Sequence, residues 1–308
     1  MKKRFILFLA ALLVMTAVAG CGAPQETTPT TEVPTQAPTT EATEPSTEAP
    51  TVPEPTTEPQ PQMSRKEQLH ARAAQLSERF GMEICIPEQL VTYTHYEAYP
   101  LDDLHFLQST LDTMEETLSQ FPEGFFRQLP YGDVETIRLE LVGAIKVRDS
   151  AAVLYPEDVD AFAQAVDNRH IVVINSYFIN AARLYHEFTH IIDAHLAWDA
   201  GNRPDALFSE ETWLSLQPEG FRYAMHYNQV PEELLSYLET DYFKFEYSLT
   251  FPTEDRATMI DAIIQNGGVG YEPGTGRRAK LQYYADCIRD CFDTTGWPEV
   301  TPWEKPLH

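Results

Sequence analysis

Two histidines four residues apart, with a glutamate beside the first, occur at His186-Glu187-Phe188-Thr189-His190. On a helix this H-E-x-x-H spacing puts both imidazoles on one face, one turn apart. Both can then reach a single Zn²⁺, and Glu187 is placed to take a proton from a water at the ion. With nine histidines in 308 residues, a chance match is a real competitor to the chemical reading. Helical phasing argues against chance: Leu184, Phe188, Ile191 and Ile192 form an apolar side opposite the histidines. Asp193 falls on the histidine face one turn further on.

Two imidazoles do not complete a zinc site, so a third ligand must come from elsewhere. The downstream acids are Glu210, Glu211, Glu232, Glu233, Glu239, Asp241, Glu246, Glu254 and Asp255, and periodicity does not choose among them. Phe251 to Ala257 opens a helix that continues through Met259, Ile260, Ile263 and Ile264, with Thr253 as the expected N-cap. Acids in its first turn have an ordinary explanation in the helix dipole. Before the histidine helix, His170-Ile171-Val172-Val173-Ile174 reads as a buried strand. A strand there could receive an extended peptide along its edge and present it to the ion. His170 and His195 read as ordinary structural histidines.

The carboxy-terminal half, roughly residues 130 to 308, resembles the bacterial zinc metallopeptidases related to the catalytic domain of anthrax lethal factor, within the gluzincins. The residues that carry the resemblance are His186 to His190 with Asp193 at the same offset, then Trp213, and then Gln217-Pro218-Glu219-Gly220-Phe221-Arg222-Tyr223. Tyr247-Ser248-Leu249-Thr250-Phe251-Pro252-Thr253-Glu254-Asp255-Arg256-Ala257 follows, similar to the family's Y-A-x-T-N-P-x-E-D-x-A. The resemblance implies a zincin-like α+β fold, mainly helical, with a small mixed sheet whose edge strand precedes the H-E-x-x-H helix. It implies Zn²⁺ held by His186, His190 and Glu254, Glu187 as general base, and Tyr247 as the phenol that stabilises the oxyanion. Asp193 and Asp255 would orient the ligand histidines through their other ring nitrogens. The chain departs from the family at three places. Arg256 and Thr258 stand where E-D-F-A-E has phenylalanine and the second glutamate, and Phe251 where asparagine is usual. Glu210 competes as third ligand through its thermolysin-like spacing of 20 residues from His190, but Phe208-Ser209-Glu210-Glu211-Thr212-Trp213 lacks the accompanying N-E-x-x-S-D pattern.

The other elements must hold these residues in place. Ser64-Arg65-Lys66-Glu67 is a capping box, opening a helix striped by Leu69, Ala73, Leu76 and Phe80 and stopped at Gly81. Glu83 to Ile86 is a short strand, Leu101 to Leu118 an amphipathic helix, and Glu135 to Val147 a longer strand. Thr275 to Phe292 is a last helix with Leu281, Tyr284, Ile288 and Phe292 on its buried face. Trp297, Pro302 and Trp303 lie in a tail that packs back.

Lys2, Lys3 and Arg4 precede the apolar run Phe5 to Val18, which reads as an export signal over residues 1–20. Val18-Ala19-Gly20-Cys21 resembles the lipobox of bacterial lipoproteins, which implies acylation of Cys21 and anchoring on the extracellular face of the membrane. Residues 21–62 are Thr-, Pro- and Glu-rich and read as a disordered tether. Residues 63–308 are then one domain. The formal charge is −25; +3 of it falls in the signal and −7 in the tether, leaving −21 on the body. That balance argues against nucleic acid or an anionic membrane surface as partner. Cys85, Cys287 and Cys291 remain, read as small buried residues, with a bridge from Cys85 to one of the others open in an exported protein. The resulting expectation is a membrane-tethered extracellular zinc peptidase acting on peptides or proteins. The alternatives are an impaired zinc-binding pseudopeptidase or a surface binding lipoprotein in which the motif is incidental.

Overall fold

The structure is a computed structural model that describes residues 63–148 and 159–308. The expected signal, Cys21 and the tether therefore lie outside the described residues. Arg65–His308 falls within one compact unit. Among the described residues no helix is long and apolar enough to cross a membrane.

The fold is mixed α/β. Helix α1 (Arg65–Phe80) buries Leu69, Ala73, Leu76 and Phe80, the stripe its spacing predicts, and ends at Gly81 with φ +72°. Strands β1 (Glu83–Cys85), β2 (Val91–Thr92) and β3 (Tyr96–Tyr99) follow. Helix α2 (Leu104–Leu118) starts three residues later than expected, because the Asp103 carboxylate caps the N–H groups of His105 and Phe106. A short helix α3 (Phe125–Gln128) leads to β4 (Thr136–Val142) and β5 (Ala144–Val147). Strands β6 (Ala161–Val166) and β7 (Arg169–Asn175) then run into α4 (Ala181–Asn202). The rest is helical: α5 (Glu210–Ser215), α6 (Glu232–Leu235), α7 (Pro252–Asn266) and α8 (Gly276–Cys291).

The main sheet has strand order β1-β4-β7-β6, parallel from β1 through β7, with β6 antiparallel at the end. Alternation along β4 sends Ile137, Leu139 and Leu141 to the helical side, where they join Phe188, Ile191 and Ile192 of α4. Val142 points the other way, into a second cluster with Phe162, Val173, Tyr96 and Ile145. That second face is covered by an antiparallel sheet of order β2-β3-β5.

Three expectations need correction. The strand before the histidine helix, β7, is not an edge strand: β4 and β6 pair on either side of it, and β6 is the edge. Its continuous apolar run already indicates a strand buried on both faces. The single strand expected over 135–147 is two strands in different sheets. The chain breaks at Gly143, whose N–H donates to the Tyr99 carbonyl at 2.8 Å and whose α-carbon sits where a Cβ would lie 2.7 Å from the Pro100 oxygen. Helix α7 begins at Pro252 with Phe251 as N-cap, not Thr253, since proline's fixed φ suits the first helical position. Among the described residues, Cys85, Cys287 and Cys291 are free thiols, Cys287 buried and the other two half-buried. Trp303 of the tail is buried in the main core, as expected.

Candidate metal centre

Helix α4 is buried around much of its circumference, because α7 covers its polar face while the sheet covers its apolar one. Asn180 starts it, its side chain accepting from the Arg183 N–H at 2.9 Å. One and a half turns on, His186 and Glu187 are 0 % exposed and His190 1 %. Glu254, in the first turn of α7, is also 0 % exposed. One ligand atom from each of His186, His190 and Glu254 lies within 4.8 Å of the others, the one such group among the described residues. Glu254 Oε2 is 3.4 Å from Nε2 of both histidines.

These contacts are too poorly directed to be hydrogen bonds. The four ring nitrogens of the pair and both Glu254 oxygens are buried with no hydrogen-bond partner. Leaving such groups unmade costs about 1–3 kcal/mol each. Burial pushes the imidazoles down, His186 to about 4 and His190 to about 3, so both are neutral with a lone pair at neutral pH. Burial also lifts the Glu254 carboxyl to about 7, with the His186 contact opposing. Two neutral nitrogens and a carboxylate short of positive charge are the donor set a divalent zinc-like cation takes.

Tyr247 is half-buried, its ring centroid 6.4 Å from that of His186. Tyr227 stands against Tyr247 at 6.3 Å and against Phe251 at 4.4 Å, an aromatic flank that sequence reasoning did not pick out. Glu210 is not in the group. It sits in the first turn of α5, half-exposed, 3.2 Å from the Arg256 guanidinium.

The two aspartates do not receive ligand histidines. Asp193 Oδ2 accepts from Arg256 Nε at 2.6 Å, and its Oδ1 from the Tyr284 hydroxyl at 2.7 Å. Asp255 accepts from Lys280 Nζ at 2.8 and 2.9 Å and from the Tyr223 hydroxyl at 2.7 Å, while Trp213 Nε1 donates to Tyr223 at 3.0 Å. Burial pushes both aspartates up, opposed by their cationic partners, and pushes Lys280 down, opposed by Asp255. Arg256 and Lys280 also lie over the Trp213 ring, at 5.0 and 5.6 Å. Neither aspartate is hydrogen-bonded to a ligand histidine, each being engaged by a cation, though the charge of Asp193 still raises the His190 imidazole against its burial. Arg256, a departure from the family pattern, is the counter-charge of Asp193. The signal that could have found the network is Lys280, a cation four residues before Tyr284 on the buried face of α8.

No protein-family model matches the chain, and no curated protein matches it. Among solved structures, it is similar to a "putative zinc-binding metallo-peptidase" from Bacteroides caccae, with 13% identity over 79% of this chain and 91% of that one. The TM-score is 0.45.

Proposed function

We propose that this protein is a zinc-dependent peptidase, tethered to the extracellular face of the membrane through a lipid on Cys21, that hydrolyses peptide or protein substrates. The observation that supports it is the convergence of His186, His190 and Glu254 on one buried point. His186, His190 and Glu254 would hold the zinc, which when bound would lower the pKa of a water and polarise the scissile carbonyl. His186, His190 and Glu254 offer one donor atom each, the three-ligand set that leaves a fourth position open. Glu187 accepts the proton of the attacking water and returns it to the leaving amine. Tyr247 donates its hydroxyl to the developing oxyanion, a contribution of about 3 kcal/mol where such donors have been removed. Lipid anchoring rests on the Lys2 to Cys21 pattern.

Metal analysis of the purified protein and cleavage of a mixed peptide library, with and without a chelator, test the reading together. One zinc per chain and chelator-sensitive cleavage are expected. Glu187→Gln should retain zinc and lose turnover by at least about a hundredfold, the scale of a general base. Full activity in that variant removes the mechanism. Zinc without cleavage makes the chain a pseudopeptidase, and absence of zinc leaves a surface binding lipoprotein.

A further inference from the structure

His186 lies between two acids of one helix. Glu254 Oε2 faces its Nε2 at 3.4 Å, and Asp261 Oδ2 faces its Nδ1 at 3.8 Å. The two acids are seven residues apart on α7, two turns along one face. Asp261 is 9 % exposed, and Gln265 Nε2 donates to its other oxygen, so the carboxylate is held from behind. Among the described residues it is the one carboxylate within 4 Å of His186 Nδ1. The other acids nearby are engaged: Asp193 by Arg256 and Tyr284, Asp255 by Lys280 and Tyr223. Thr258, one turn past Glu254, turns its hydroxyl into its own helix, donating to the Glu254 carbonyl at 2.7 Å.

We propose that Asp261 is a positioning residue of the metal centre, accepting Nδ1–H of His186 and thereby aiming the Nε2 lone pair at the point shared with His190 and Glu254. A closing movement of about 1 Å brings the pair to hydrogen-bond distance. A carboxylate on the distal nitrogen fixes the tautomer and raises the basicity of a ligating imidazole. The inference rests on the zinc reading above and deepens it by naming what orients the first ligand.

The test measures zinc affinity by chelator competition, and the visible spectrum of the cobalt-substituted protein, in the full chain and in Asp261→Ala, Asp261→Asn and Asp261→Glu. Asp261→Ala should bind zinc about 10- to 100-fold more weakly, the usual effect of losing such a partner. Its cobalt bands should shift, and Asp261→Glu should recover most of the affinity. Metal-free thermal melts report folding; should Asp261→Ala fold poorly, Asp261→Asn, equal in size, decides by the same comparison. Wild-type affinity and spectrum in both Ala and Asn variants overturn the role of Asp261 while leaving the zinc reading standing. A wild-type chain that binds no zinc overturns both.

Discussion

Glu254 and its two histidines are all buried, yet burial moves them in opposite directions along the pH scale, and this gives the centre a distinctive proton balance. With the Glu254 carboxyl raised to about 7 and the imidazoles lowered to about 4 and 3, the metal-free site near pH 6 holds its proton on Glu254 and not on the ligand nitrogens. A cation entering below pH 7 must displace that proton, and above about pH 8 there is none to displace. Apparent zinc affinity should therefore fall roughly tenfold per pH unit as pH drops from 7 towards 5, and level off above 8. Titration calorimetry at pH 6, in buffers of different ionisation enthalpy, should read close to one proton released per zinc. Release of two, or none, shows that the histidines or no group carry it. Beneath the centre, Lys280 is 1 % exposed and its cation rests on Asp255. Lys280→Met leaves a buried carboxylate uncompensated and should cost about 3–5 kcal/mol. Denaturant unfolding checks this, and a loss below 1 kcal/mol shows that Tyr223 alone suffices for Asp255.

At the scale of elements, α4 and α7 meet face to face, and the centre is their contact. Helix α4 brings His186, Glu187 and His190 from one and a half turns of its own length, and α7 brings Glu254 at its start and Asp261 two turns later. The buried pairs tie the same elements again, Arg256 to Asp193 between α7 and α4, and Lys280 to Asp255 between α8 and α7. The sheet contributes through a break as much as through its strands. Gly143 divides β4 from β5 and lets the chain pass against Pro100. Gly143→Ala puts a methyl 2.7 Å from that carbonyl oxygen, where a neighbouring backbone cannot easily give way. Destabilisation of about 1–3 kcal/mol is expected, as for other overpacked sites, measured by chemical denaturation; a neutral effect means that the two sheets slide apart without cost.

For the molecule as a whole, an ion held at the proposed centre would join α4 to α7 in the folded state and would find no preformed site in the unfolded chain. Zinc at a hundred times its dissociation constant should add about 2.7 kcal/mol to stability. Thermal melts against zinc concentration should rise accordingly, and His190→Ala should be flat; a melt indifferent to zinc in the wild-type chain speaks against the site.

What was legible in the sequence is what is local. The i, i+4 pair and the apolar side of its helix follow from 3.6 residues per turn, and so do the stripes of α1 and α8. The run His170 to Ile174 announced a buried strand because every residue in it packs on one face or the other. The tertiary structure decided everything that depends on partners distant in the chain. Several acids follow His190 at plausible distances, and only the packing of α7 on α4 brings Glu254, 64 residues on, to the histidines. Likewise, Arg256 departs from the family pattern in sequence, and folding places it 2.6 Å from Asp193. The charges of Asp193 and Asp255 were visible in the chain, but not the cations that hold them, because a hydrogen bond is chosen by proximity after folding and not by spacing before it.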